Sequence, residues 1–337
     1  MARKKKENSA KKVLLSILII LVLLGAGAAG VIVAKLNSVV SGMDKVEISE
    51  KKEDLEIHED VEEKVKEYNV TNFAFFGIDT RSVSGVKGRS DAIMIVSIDK
   101  DHDKIKLSSI MRDTYVDIKG HGKDKINHAY AYGGPQLAVS TINKNFNLDI
   151  KNFASVNFYN LQKIIDALGG VTLDISSAEL KYINNYIKCL AQDSKSKAKY
   201  IKKTGTQTLN GQQAVAYTRI RYTNGGDFKR TERQREVLSG LLNKISTMSK
   251  AKFISVVPEL AKYVTTNMDV TDMISVGVDA LQSDISNIDT ERFPIDSNAV
   301  SKKINGIYYL QTDIEKTTEQ IFKYIYEDVK PPKEETK

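Results

Sequence analysis

NFAFFGIDTRSVSGVKGRSDAIMIVSIDKDHDKIKLSSI, residues 72–110, carries three apolar runs of strand length, at 72–78, 92–98 and 105–110. Each is rich in branched and aromatic residues and dense enough to be buried on both faces of a sheet. The polar stretch 99–104 is a short turn, so the second and third runs form a hairpin. Downstream the pattern alternates. A helix over 130–146 is entered through Gly133-Gly134-Pro135, a strand over 153–158 follows, and a helix over 160–168 stops at Gly169-Gly170. A strand at 171–175 comes next, then a polar, Lys- and Tyr-rich excursion at 176–203 with some helical character. An amphipathic helix spans 231–245, and helix, strand and helix run on to 328. Strands interleaved with helices predict an α/β fold with a sheet sandwiched between helices.

The chain has 337 residues, one Cys, no Trp and 41% hydrophobic residues, which suits a folded domain with a substantial core. Cys189 has no intrachain partner, and the four His (58, 102, 121, 128) are too scattered for a zinc site. Residues 13–34, VLLSILIILVLLGAGAAGVIVA, contain no charge, and as a helix would span roughly 33 Å, enough for a bilayer core. Six basic residues in 1–12 place the N-terminus inside by the positive-inside rule, so the rest faces outward. A cleaved signal peptide is the competing reading. Five of the seven net positive charges belong to this tail, and a cytoplasmic segment of that size leaves no room for a DNA-binding domain. Residues 35–67 are read as an outward-facing stalk, densely charged from 44 onward. Residues 68–329 are read as the folded domain and 330–337 as a frayed tail.

The sequence prefers Lys to Arg by forty to ten, yet eight of the ten Arg fall in three short segments: Arg81 and Arg89; Arg112; and Arg219, Arg221, Arg230, Arg233 and Arg235. Such clustering points to the guanidinium fork, which binds phosphate bidentately and keeps its charge when half-buried. Ion pairing with neighbouring acids is the alternative. Asp79 ends the first strand and Asp91 opens the second. If those strands are antiparallel neighbours, the two carboxylates meet at one sheet end and suit a Mg²⁺ shared with a phosphate ligand, or else serve turn chemistry. Arg230, Arg233 and Gln234 are spaced to share one helix face, whose N-terminus offers N–H donors to an anion.

Seven stretches carry a resemblance: FGIDTR (76–81), KGRSDAIMIVSID (87–99), SIMRDTYVDI (109–118), KINHAYAYGG (125–134), LGGVTLDI (168–175), LNGQQAVAYTRIR (209–221) and GDFKRTERQR (226–235). Together they resemble the LytR-CpsA-Psr family of Gram-positive cell-wall enzymes. The resemblance implies one catalytic domain with a central mixed sheet, anchored by one N-terminal helix in the cell membrane. It implies transfer of a phosphorylated glycopolymer, such as teichoic acid or capsule, from a polyprenyl-pyrophosphate carrier to peptidoglycan. By the same resemblance Asp79 and Asp91 hold Mg²⁺ (Mn²⁺ as the alternative), with Asp79, Asp91 and Arg112 catalytic. Arg89, Arg112, Arg219, Arg221, Arg230, Gln234 and Asp227 bind the pyrophosphate. Arg81, Arg233 and Arg235 are secondary, one of them in a structural role. Met111, Lys229 and Glu232 stand where the family more often has Pro, Gly and Asp. The carrier's tail needs an apolar groove, for which the helices over 137–146 and 161–168 are the candidates. Two alternatives stay open: hydrolysis of the same carrier, and a non-catalytic protein that presents it. Nucleic acid is not an expected partner.

Overall fold

The computed structural model describes residues 44–79, 88–223, 225–282 and 287–332. The proposed membrane helix, 13–34, lies outside them, and no helix among the described residues is long and apolar enough to cross a membrane. In chain order the elements are β1 (Asp44–Lys45), α1 (Glu59–Val65), β2 (Val70–Asp79), β3 (Arg89–Asp99), β4 (Lys104–Ile110), β5 (Tyr115–Ile118), β6 (Gly122–Lys125), α2 (His128–Phe146), β7 (Asn152–Asn157), α3 (Phe158–Ala167) and β8 (Val171–Ile175). Then come α4 (Ser177–Asp193), β9 (Gly205–Leu209), α5 (Gly211–Thr218), α6 (Gly226–Ser246), α7 (Lys250–Ala261), β10 (Thr265–Thr266), α8 (Val270–Gln282), β11 (Asn287–Phe293), β12 (Ala299–Ile304), β13 (Ile307–Thr312) and α9 (Ile314–Tyr326).

The three apolar runs form the middle of a seven-stranded sheet, ordered β1-β10-β7-β2-β3-β4-β11. β2–β3 and β3–β4 are antiparallel, while β7 and β11 join parallel to β2 and β4, so the sheet is mixed. Successive side chains on β2 point to opposite faces. Ala74, Phe76 and Ile78 enter a core with α2 and α9, whereas Phe73 packs on the other face with Leu238 and Leu242 of α6. A third apolar cluster joins α3, α4, α5 and α6 to the β8–β9 ribbon. The α/β expectation and the sheet between helices therefore hold.

Four local expectations are revised. The excursion at 176–203 is largely one helix, α4, started by a reciprocal cap in which Ser176 and Glu179 satisfy each other's backbone N–H. The helix entered at Gly133-Gly134 begins earlier, at His128, and breaks there, with Gly134 at φ +62°. Two ribbons, β5–β6 and β12–β13, were not foreseen. Residues 44–67, read as a stalk, pack on the domain instead. β1 pairs with β10, and Ile48, Leu55, Ile57 and Val61 are buried. The segment's spaced apolar residues form the surface it buries, while its charges stay outside.

Candidate active site

The site lies where β2 and β7 end and β3 begins. Crevices at the carboxyl ends of sheet strands are favoured ligand sites because the following loops diverge there. Asp79 is the last residue of β2, opposite Arg89, and the pairing then slips: Ile78 faces Ser90 while Gly77 faces Ala92. Asp91 is therefore the extra residue of a β-bulge, which redirects a side chain out of the regular alternation. Asp79 and Asp91 both line one pocket of about 250 Å³, with Arg219, Arg221, Arg230 and Gln234. The antiparallel geometry that would bring the two carboxylates to one end of the sheet is present.

Each cation has a local reason to be there. α5 is started by a reciprocal cap between Asn210 and Gln213 and ends at Thr218, which leaves Arg219 as its C-cap and Arg221 just beyond. The Arg219 guanidinium sits 4.9 Å from the centre of the Phe158 ring, a cation–π contact that holds it at the pocket wall. Arg230 and Gln234 are one turn apart on α6. Arg230 is almost fully buried and bonds the Asp227 carboxylate at 2.9 Å. Burial, only partly offset by Asp227, lowers its pKa to about 10, so it remains a cation at neutral pH.

Arg112 and Asp227 stand behind the pocket rather than on its wall. Nη1 of Arg112 donates to Asp91 at 2.7 Å, and its Nε lies 3.5 Å from Asp113 and 3.6 Å from Asp227. Burial opposes the charge on Arg112, but Asp91, Asp227 and Asp113 outweigh it and raise its pKa. Asp91, Arg112, Asp227 and Arg230 thus form a chain of alternating charge, and Arg221 adds a contact of 3.6 Å to the other Asp91 oxygen. The Nε atoms of Arg112 and Arg230 are buried without a hydrogen-bond acceptor. Asp79 has no ion pair or hydrogen bond from its side chain among the described residues.

Other expected members are placed differently. Arg89 is exposed at the start of β3 and does not line the pocket. Arg233 does not share the face of Arg230 and Gln234. It is buried, donating to Glu179 at 2.8 Å, to the Ile220 carbonyl at 3.2 Å and to Thr223 at 2.7 Å. It clamps α4 and the loop carrying Arg221 onto α6. Arg235 borders a separate cleft with Glu291 and Arg292, and so do Gly225 and Phe228, so these residues at the start of α6 face that cleft rather than the pocket. Arg81 lies outside the described residues. Phe158, Tyr186, Thr218 and Tyr222 complete the lining and were not expected. Phe158 stood at the predicted strand–helix junction, which was the available signal.

An apolar groove continues from the pocket, sharing Phe158, Thr218 and Gln234 and lined onward by Phe75, Met94, Leu161, Val237, Leu238 and Leu241. Gly77 and Ala92, paired across β2 and β3, line it too. A Cβ on Gly77 would sit 2.9 Å from that of Ala92. The groove lies between the sheet and α6. Of the helices expected to wall it, only the one bearing Leu161 does so, because α2 covers the opposite face.

The two pocket carboxylates fit a divalent cation as a partial donor set. No group of three or more His, Cys, Asp or Glu converges among the described residues, so phosphate and water oxygens would have to supply the other ligands, which is the usual habit of Mg²⁺.

The model of the LytR_cpsA_psr family matches residues 31–323. A polyisoprenyl-teichoic acid–peptidoglycan teichoic acid transferase TagU of Bacillus licheniformis is 35% identical over 240 residues, covering 70% of this chain and 71% of the relative. The Bacillus subtilis TagU is 34% identical over the same shares. Among solved structures, TagT bound to LIIa-WTA superposes with a TM-score of 0.61 at 26% identity, covering 77% of this chain and 90% of that one. YwtF (TagT) with bound octaprenyl pyrophosphate lipid gives a TM-score of 0.56 at 25% identity, covering 76% and 90%.

Proposed function

The chain belongs to the LytR-CpsA-Psr family, and from that premise we propose that it is a phosphotransferase of the outer face of the cell membrane. It moves a phosphorylated glycopolymer from a polyprenyl-pyrophosphate carrier to peptidoglycan. The observation that carries this reading is the junction of two surfaces: a pocket lined by three arginines and two aspartates that opens into an apolar groove. A pyrophosphate with a hydrocarbon tail needs that pairing of an anion-holding pocket with an apolar surface. The uncharged stretch 13–34 supplies the anchor, and no nucleic acid is involved.

In the reaction, the acceptor hydroxyl oxygen forms a bond to the phosphorus that carries the polymer. The bond from that phosphorus to the bridging oxygen breaks, and polyprenyl phosphate leaves with the electron pair. Arg219, Arg221 and Arg230 hold the phosphate oxygens and stabilise charge on the transferring group without reorganising. Arg112 fixes Asp91, and Asp227 fixes Arg112 and Arg230. Asp79 has no protein cation against it among the described residues, so one of its oxygens can accept the acceptor proton while the other serves a bound metal. Asp79 and Asp91 would hold Mg²⁺, or Mn²⁺, which when bound supplies further charge neutralisation at the phosphates.

The test mixes the full-length chain in detergent with a polyprenyl-pyrophosphate oligosaccharide, a peptidoglycan glycan and Mg²⁺, and reads products by mass spectrometry. The expected product is a phosphodiester-linked glycan, lost with EDTA and with Asp91→Ala. Free phospho-oligosaccharide alone would make the protein a hydrolase. Bound but unreacted carrier would make it a presenter.

A further inference from the structure

The motif KINHAYAYGG (125–134) contributes nothing to the pocket lining, yet its first residues abut the site. The Asn127 N–H donates to the Arg112 carbonyl at 3.2 Å, and Lys125 Nζ bonds Asp113 at 2.7 Å, the carboxylate that also faces Arg112. Beyond Lys125 the surface turns aromatic. Its ammonium lies 5.7 Å from the ring centres of both Tyr308 and Tyr309, on the β12–β13 ribbon. That ribbon is docked beside Arg112 by the Leu310 N–H bonded to the Asp113 carbonyl at 2.8 Å. Asp124 accepts from the Tyr132 hydroxyl at 2.7 Å and pairs with His128 at 2.8 Å. His121 stacks on Tyr132 at 4.3 Å with a 13° tilt. Tyr132 is 46% exposed and Tyr308 40% exposed. Large aromatic side chains left in water gain nothing by staying there, and a patch of them beside fixed polar groups marks a binding surface.

We propose that Tyr132, His121 and Tyr308, with Asp124 and Lys125, form a platform for the acceptor glycan strand, backed by the buried Tyr309. A hexosamine ring offers an apolar C–H face to an aromatic ring and a rim of hydroxyl and acetamide groups to a carboxylate and an ammonium. That is the mixture present here. Continuity with the reaction centre runs through Asp113 and Arg112. The side of approach also fits. The apolar groove for the leaving lipid runs between the sheet and α6, whereas α2 and its neighbouring ribbon belong to the other face. Entry from the side opposite the leaving group is what in-line attack on phosphorus requires. The carboxylates of Asp113 and Asp124 set this patch apart from one built to lie on anionic lipid. The proposal rests on the phosphotransferase reading above.

The experiment uses the full-length chain in detergent and a soluble GlcNAc–MurNAc tetrasaccharide. Binding is read by saturation-transfer NMR and calorimetry, separately from the transfer assay. Tyr132→Ala with Tyr308→Ala should weaken tetrasaccharide binding about tenfold and raise the acceptor KM alike, with carrier affinity unchanged. Tyr132→Phe, which keeps the ring, should retain most of the affinity. Unchanged glycan binding in the double variant would overturn the proposal. Weakened carrier affinity in its place would assign the patch to the donor's polymer, and weakened binding to anionic vesicles alone would assign it to the membrane. If the protein transfers nothing to any acceptor, the NMR measurement still decides whether the platform holds a glycan, so the two readings fail separately.

Discussion

Arg112 shows how much a single side chain can carry in this molecule. Its Nη1 bonds Asp91 and its Nε lies between Asp113 and Asp227, so one guanidinium orients the bulge carboxylate and meets the acid that fixes Arg230. A Lys in its place keeps the charge but offers a single point donor, which cannot bond Asp91 and also lie against Asp113 and Asp227. Arg112→Lys should therefore fold normally by circular dichroism yet transfer about 10²–10³-fold more slowly, the size of loss seen when one preorganised electrostatic contact is removed. A single-turnover rate matching the wild type would remove Arg112 from the machinery. At this scale the sequence was most legible where a residue type was out of character. Arg clustering in a Lys-rich chain located Arg219, Arg221 and Arg230. It did not separate them from Arg233, because i, i+3 and i+4 spacing admits one shared face while Glu179, which draws Arg233 away, is distant in the sequence. Arg89 was likewise named on charge, and only the register at the β2 end shows it exposed beside the pocket rather than in it.

At the scale of elements, the Glu179–Arg233 pair joins the start of α4 to α6 and holds the loop that presents Arg221. Burial pushes the Glu179 carboxyl up. The Ser176 backbone N–H, the Ser176 hydroxyl and Arg233 pull it down further, leaving its pKa below the ordinary 4.5. A carboxylate whose folded pKa is depressed stabilises the fold fully above its unfolded pKa, and that contribution is lost as pH falls through the folded value. Glu179→Gln should thus cost about 3–5 kcal/mol near neutral pH, since it leaves Arg233 buried without its counter-ion. The gap to wild type should narrow as pH drops below about 4.5. Urea unfolding of both proteins across that window checks it, and a gap that does not depend on pH would deny the linkage. Elements with a strong period were readable in advance: β2, β3, β4 and α6 bury what their apolar spacing promised. The ribbons β5–β6 and β12–β13 were not, because Gly122–Lys125 and Ala299–Ile304 are largely polar and exposed. Only their partner strands bury apolar residues, Val116 and Ile118 of β5 and Tyr309 and Leu310 of β13, and those runs are too short to show a period.

The whole molecule raises the question of where the domain begins. Charge density set residues 44–67 apart as a stalk, since eleven acids and five bases in a row of twenty-four outweigh six apolar residues by count. Energetically the count is misleading. Surface charges contribute little, whereas each fully buried Leu or Ile contributes about 1.5–3 kcal/mol. Leu55, Ile57 and Val61 are at most 6% exposed, and Leu55 and Ile57 join the core that α2 and α9 share with the sheet. Together they supply roughly 5–8 kcal/mol, as much as the whole net stability of many domains. β1 adds a parallel partner to β10, and Lys151 and Lys52 both bond Glu62 of α1. A chain begun at residue 68, the boundary expected from composition, should accordingly unfold or aggregate near 37 °C. One begun at residue 44 should melt cooperatively and bind the carrier head group. Leu55→Ala in the longer chain gives the graded version, with an expected loss of about 2–5 kcal/mol in denaturant unfolding. If the shorter chain melted at the same temperature as the longer, residues 44–67 would be the spacer that their charge suggests, and the pocket would owe them nothing.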